Sequence, residues 1–189
     1  MFNEERYSDT TILIHGVSLH AHQLVLYLQS PYFKKAFQES FVEGNTKILK
    51  FQDGSGIAYW RLFEYLYTGD YSDNVSNKDL EEDPKLFKDP RVYALADMFF
   101  LEDLKLLALK KFQEKLKDLW RSNLFPECVR EVYRSTYKRD RAMRSTVVEA
   151  AATYVRKLGT KGIFKDLIRE GRDFAVDYIQ KPSAENVVE

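Results

Sequence analysis

Apolar and polar positions alternate only near the start of the chain. Thr10-Thr11-Ile12-Leu13-Ile14 is a β-rich run, His15-Gly16 interrupts it, and Val17-Ser18-Leu19-His20 alternates again. Two short runs around such a dipeptide predict a β-hairpin. The period then lengthens. Leu24, Leu28 and the pair Val25/Leu26 fall at helical spacing. Ser30-Pro31 ends that helix near Gln29 and opens another, because Ser is a favoured N-cap and Pro a favoured first helical residue. The second helix carries Tyr32, Phe33, Ala36 and Phe37. Gly44-Asn45 is a turn signal, and Ile48-Leu49-Lys50-Phe51 predicts a third strand. Asp53-Gly54-Ser55-Gly56 reads as a loop that caps the next helix. From Ile57 to Tyr67 apolar residues at 57, 60, 63, 66 and 67 predict an amphipathic helix, closed by Gly69 as the left-handed C-cap residue.

Residues 70–90 break the pattern. Asp70, Asp73, Asp79, Glu81, Glu82, Asp83 and Asp89 sit among Asn, Ser and Pro, which predicts a polar acidic loop longer than ordinary connections. From Arg91 onward the chain reads as helix. Val92, Leu95, Ala96 and Phe99 form one stripe; Leu101, Leu104, Ala108, Phe112, Leu116 and Leu119 form the next. Phe125-Pro126 opens a helix with Val129, Val132 and Tyr133. Val147, Val148, Ala151, Val155 and Leu158 predict another, stopped by Gly159. A last pair carries Ile163, Phe164, Leu167 and Ile168, then Phe174, Ala175, Tyr178 and Ile179. The tail 182–189, beginning at Pro182, is expected to be flexible. Strands grouped early and helices later predict an α+β, predominantly helical fold with a short three-stranded sheet.

Composition narrows the class. Hydrophobic residues are 44% and charged residues 31% of the 189, enough apolar surface to offset chain entropy and exclude intrinsic disorder. No apolar run approaches the roughly 18 residues of a membrane span, and the first residues lack a signal-peptide pattern. A single cysteine, Cys128, excludes an intramolecular disulfide and a cysteine-rich zinc site and suits a reducing compartment. The expected location is cytoplasmic or nuclear. Net charge is zero, which argues against a general nucleic-acid binder. The zero is uneven, however: residues 1–90 hold 9 basic and 14 acidic side chains, residues 91–189 hold 20 and 15. The halves are oppositely charged, so they either complement each other or meet oppositely charged proteins.

Candidate chemistry is sparse. His20-x-His22 on a strand would point two imidazoles to one face, yet no Cys, Asp or Glu close in sequence completes a tetrahedral site. Cys128 has no nearby His to activate it, and no Gly-x-Ser-x-Gly occurs, so no nucleophile is predicted. Gly54-Ser55-Gly56 lacks the spacing and the Lys-Ser/Thr of a phosphate loop. Arg134, Lys138, Arg139, Arg141 and Arg144 form a basic run with Tyr137 alone as an interleaved aromatic. It reads first as a solvated face, next as a patch for an acidic partner, and last as a nucleic-acid contact. No catalytic residue, cofactor, metal, nucleic acid or membrane is therefore expected.

Several collinear motifs resemble the BTB/POZ domain. They are Asp9-Thr10-Thr11-Ile12-Leu13-Ile14, Leu19-His20-Ala21-His22-Gln23-Leu24-Val25-Leu26, Ser30-Pro31-Tyr32-Phe33-Lys34-Lys35-Ala36-Phe37, Leu66-Tyr67-Thr68-Gly69-Asp70-Tyr71, and Val92-Tyr93-Ala94-Leu95-Ala96-Asp97-Met98-Phe99 with Leu101-Glu102-Asp103-Leu104-Lys105. The resemblance covers residues 9–118, with the acidic insertion at about 70–90. Residues 119–181 resemble the C-terminal helical extension of fungal BTB proteins through Leu124-Phe125-Pro126-Glu127, Val132-Tyr133-Arg134-Ser135-Thr136 and Arg141-Ala142-Met143-Arg144.

The resemblance implies a non-catalytic protein-interaction scaffold, with His22 packing at a helix start. Many members bridge a substrate to a cullin-based ubiquitin ligase through an apolar-x-Glu element between the second helix and the third strand. Phe41-Val42-Glu43 holds that place, which makes Phe41 the apolar anchor and Glu43 its acidic partner. The bland alternative puts Phe41 in the core and Glu43 in solvent. Leu124 and Phe125 are further cullin-contact candidates, against internal packing of the helical extension. An unidentified substrate is the other implied partner. A BTB scaffold of a transcriptional or other regulatory complex, without cullin, is the alternative. About eight residues precede the first strand, whereas dimeric members often swap a longer N-terminal segment, which counts against homodimerisation without excluding it. Kelch repeats, a MATH domain and zinc fingers are not seen in the sequence, which leaves the BTB surface, the acidic loop or the extension to read a substrate.

Overall fold

The computed structural model describes residues 2–38, 45–75 and 77–181. The chain divides into two compact units, Met1–Ala108 and Leu109–Glu189. In the first, β1 (Thr10–Ile14) lies between β2 (Val17–Ala21) and β3 (Ile48–Phe51). β1 runs antiparallel to β2 and parallel to β3. The register sets Ile12 beside Leu19 and Leu49, so one row of branched side chains crosses the sheet on its buried face. The turn between β1 and β2 is the expected dipeptide: His15 and Gly16 both take positive φ, 49° and 86°, as the favoured two-residue hairpin turn requires.

Helices α1 (Gln23–Gln29) and α2 (Pro31–Ala36) follow. Ser30 caps α2 by accepting a hydrogen bond from Tyr32 N, while its hydroxyl donates 2.8 Å to the carbonyl of Phe99. That side chain therefore satisfies a helix start and ties α2 to a segment far along the chain. Phe33, Phe51, Phe63 and Phe99 meet around it with ring centroids 5.2 to 5.8 Å apart in the closest pairs. This aromatic cluster is the core beneath the sheet.

Helix α3 (Gly56–Thr68) starts at Ser55, whose side chain accepts from Ala58 N, and ends at Gly69 with φ 77°. Both caps match the sequence expectation. Its amphipathic character does not. Every residue from Gly56 to Phe63 is buried, Arg61 included. The face that the sequence assigned to solvent is covered by the acidic segment that follows. Nor is that segment a freely solvated loop, because Tyr71, Leu80, Asp83 and Leu86 are buried. The next helix, α4 (Lys88–Met98), begins earlier than Arg91 because Pro90 is tolerated in a first turn, where no amide partner is needed.

Helix α5 (Glu102–Leu119) carries the predicted stripe with one change. Leu101, Leu104, Ala108, Phe112 and Leu116 are buried, but the next buried residue is Trp120 and Leu119 is only half-buried. A step of four from Leu116 reaches Trp120 on the same face. The second unit continues with α6 (Phe125–Ser135), α7 (Arg141–Thr153), the short α8 (Val155–Leu158), α9 (Gly162–Arg169) and α10 (Asp173–Gln180). The sequence expected one helix through Leu158. The chain instead breaks at Tyr154, whose ring stacks on Trp120 at 3.8 Å and 4°. The break resets the helical phase, so Leu158 is buried while Val155 faces outward. Ile163 and Ile179 are likewise exposed, and the core is completed by Phe164, Leu167, Phe174 and Ala175.

Candidate interaction site

Of the residues the sequence singled out, Phe41 and Glu43 lie outside the described residues. They fall in the stretch between Gln38 and Asn45, after α2 and before β3. Leu124 stands at the surface, 45% exposed, whereas Phe125 is fully buried in the core of the second unit.

A surface that the sequence reading did not single out lies on α1. Leu24, Tyr27 and Leu28 are exposed, and their spacing puts them on one helical face. Only Leu26 of this helix is buried. An amphipathic helix in isolation turns polar side chains outward; α1 turns large apolar ones outward, which marks a surface for association. Tyr27 is flanked by Lys34, whose ammonium lies 5.4 Å from the ring centroid.

The start of α1 is built around His22. Its backbone N–H donates 2.7 Å to the Tyr67 hydroxyl, its Nδ1 lies 3.0 Å from the same oxygen, and its Nε2 lies 3.2 Å from the carbonyl of Arg6. The ring is thus a packed structural group. Among the described residues no three His, Cys, Asp or Glu side chains are gathered to hold a metal ion. Cys128 is buried.

The second feature missed by sequence reading is Arg61. Its guanidinium is fully buried and donates to the carbonyls of Ser72 (3.1 Å) and Asp73 (3.3 Å) and to Glu82. Around it, Lys88 donates to the Asp73 carbonyl, and the Tyr71 hydroxyl donates 2.8 Å to Asp89. Burial first, and Asp89 second, push the Tyr71 phenol well above its ordinary range. Part of the N-terminal negative excess is therefore spent on wrapping a buried cation. A lone Arg inside the mostly apolar stretch Ile57–Leu66, which also holds Glu64, followed by a series of acids, was the signal available in the sequence.

The C-terminal basic run is handled in the same way. Arg134 pairs with Glu131, Lys138 and Arg144 with Asp173, and Arg141 with Asp177. Arg144 is also buried, donating to the Thr136 carbonyl at 2.6 Å and lying 4.6 Å from the Tyr133 ring centroid. These cations are matched by acids of their own unit.

A family model for the BTB/POZ domain matches residues 1–116, well over half of the chain. The chain belongs to the BTB/POZ family. A BTB/POZ domain is a non-catalytic protein-interaction module, and the three-stranded sheet with its flanking helices is the BTB fold. Among similar proteins, human Kelch repeat and BTB domain-containing protein 4 is 24% identical over 155 residues, covering 82% of this chain and 26% of that protein. Kelch-like protein 40 of Xenopus tropicalis is 23% identical over 116 residues, 61% of this chain and 17% of that protein. Longitudinals lacking protein-like of Drosophila melanogaster is 35% identical over 78 residues, 41% of this chain and 58% of that protein. The chain thus spans about a quarter or less of the Kelch relatives it matches. The BTB domain structure of human gigaxonin is 20% identical, with a TM-score of 0.40, over 56% of this chain and 78% of that one. None of the helices among the described residues is long and apolar enough to cross a membrane.

Proposed function

We propose that the chain is a substrate adaptor for a cullin-type ubiquitin ligase. The observation that carries this is Phe41-Val42-Glu43, an apolar-x-Glu element in the connection between α2 and β3 of a BTB domain. An aromatic anchor beside a carboxylate supplies both contact area and orientation. Leu124, exposed just before α6, is a second contact. In the double variant Phe41→Ala plus Glu43→Lys, co-purification with the host's cullin is expected to disappear while the wild type binds at about micromolar affinity or tighter, a range typical of specific association. A wild type that fails to bind at that level sinks the adaptor reading.

One observation favours a second reading, a scaffold of a transcriptional or other regulatory complex without cullin. The apolar face of α1 formed by Leu24, Tyr27 and Leu28 suits a second copy of the same chain. Sedimentation of the wild type is expected to show a dimer, and Leu28→Lys is expected to shift it to monomer, because a charge on the face must be desolvated to associate. A wild-type monomer at all concentrations would remove this surface from consideration.

A further inference from the structure

Asp83 is an acid of the covering segment that goes inside. Its side chain is 4% exposed and lies between two guanidinium groups: Arg91 forms an ion pair with one oxygen, and Arg61 Nη1 stands 3.7 Å from the other. The Ser55 hydroxyl is 2.9 Å from both carboxylate oxygens, and the same oxygen caps α3 by accepting from Ala58 N. The buried carboxylate therefore sits at the positive end of a 13-residue helix, with two arginines beside it. The seat is shaped for the segment: a Cβ on Gly56 would stand 3.0 Å from Leu80 Cδ2.

The donors exceed what the carboxylate satisfies. Arg61 Nη1 is buried and has no hydrogen-bond acceptor among the described residues, and 3.7 Å is beyond hydrogen-bond reach. A carboxylate brings two oxygens in a plane. A phosphate monoester brings three strong acceptors in a tetrahedral array and nearly two charges. Arginine pairs with either, and bidentate pairing to phosphate is favoured by the guanidinium geometry. A cleft of about 490 Å³ opens beside Asp83, lined by Ser55, Phe87 and Arg91 and by the acids Asp79, Glu81 and Glu82, all three of them on the covering segment.

We propose that Ser55, Arg61 and Arg91 form a phosphate-monoester cradle which the chain fills with its own Asp83. A phosphorylated side chain takes the place of Asp83, and the covering segment is released from α3. The acidic segment is then an internal competitor that keeps the cradle closed until a phosphorylated partner arrives. This does not depend on the cullin reading, and its test contains no cullin.

The full chain is compared with Asp83→Ala and Asp83→Asn by thermal melting in phosphate and in chloride at matched ionic strength, with a phosphoserine peptide and its unphosphorylated form as second probes. The expected result is a phosphate-specific rise in Tm that is small for the wild type and larger for both variants. Phosphopeptide affinity is expected to be higher in Asp83→Ala by roughly tenfold or more, and lost again on adding Arg91→Gln. If Asp83→Ala does not fold in chloride, phosphate is expected to restore its helical circular dichroism. Equal Tm in phosphate and chloride for the folded variants, or no rescue of an unfolded one, overturns the cradle. A response to inorganic phosphate with none to the phosphopeptide overturns the ester assignment. Release of the segment is read by trypsin: cleavage at Lys78 and Lys85 of the wild type is expected to quicken with saturating phosphopeptide. Unchanged cleavage overturns the displacement.

Discussion

Two adjacent phenylalanines show how little a residue's type alone decides. Phe99 is fully buried and its carbonyl receives the Ser30 hydroxyl; Phe100 is 63% exposed with φ 56°. The cause is the end of α4. Phe100 N donates to the Asp97 carbonyl and Leu101 N to the Ala96 carbonyl, the two bonds of a left-handed helix stop. Glycine is the usual residue there, and α3 uses Gly69 for the same purpose. Phe99→Ala is expected to cost about 3–5 kcal/mol through the cavity it leaves. Phe100→Gly relieves a left-handed strain of about 1–2 kcal/mol while losing little burial, so it is expected to be neutral or stabilising. Urea denaturation of the two variants checks the contrast; a Phe100→Gly loss as large as that of Phe99→Ala would contradict it. Arg61 makes the complementary point. Its type suggests solvent, but its position in α3 and the carbonyls of Ser72 and Asp73 put it inside.

Among elements, the contact of α6 with α10 is held by polar groups as well as by the core. Tyr133 donates 2.7 Å to Asp177, and its ring lies against Phe174 with centroids 5.6 Å apart. Burial first, then the Asp177 hydrogen bond, raise the Tyr133 phenol above its ordinary value of 10.0. A group whose folded pKa is raised contributes stability that is complete below the unfolded pKa and is lost as pH rises. The unfolded chain releases this proton above about pH 10 while the folded chain keeps it, so stability should fall there. Tyr133→Phe is expected to be less stable at pH 7 by about 1 kcal/mol, having lost a hydrogen bond, but to decline less steeply above pH 10. Tyr71 keeps some of that slope, because its phenol is raised for the same reason. Denaturation midpoints from neutral to alkaline pH read both effects; an unchanged alkaline slope in Tyr133→Phe would refute the assignment.

Over the whole molecule, zero net charge conceals opposite halves, but each half also does internal electrostatic work. In the first unit acids surround Arg61, and in the second Glu131, Asp173 and Asp177 hold the basic run. The exposed pairs among them, such as Lys138 with Asp173, add little stability, yet they engage cations that a phosphate backbone would otherwise contact. Duplex DNA is therefore expected to show no retarded complex at about 150 mM salt, where screening acts within roughly 8 Å. The pair Asp173→Asn with Asp177→Asn should introduce salt-sensitive retention on heparin. Strong DNA binding by the wild type would reverse this view of the basic half.

The sequence alone determined the elements whose signals are local. A β-rich run gave β1, an alternating run β2 and a short run after a turn signal β3; Ser30-Pro31, the loop containing Ser55, and Gly69 gave helix ends that the structure reproduces as caps. Those signals survive because capping and pleating are satisfied within a few residues. The collinear motifs that resemble BTB/POZ were legible for the same reason. The tertiary structure alone decided where distant segments cover one another. Folding the acidic segment onto α3 buries Arg61 and turns an apparently amphipathic helix into one buried all round its first two turns. Stacking of Tyr154 on Trp120 accompanies a break in a helix whose sequence periodicity runs on through Leu158. The tertiary structure also left Leu24, Tyr27 and Leu28 of α1 outside, although their spacing alone could as well have marked a core face. Burial depends on which surfaces the rest of the chain brings to a residue, and local periodicity carries no information about that.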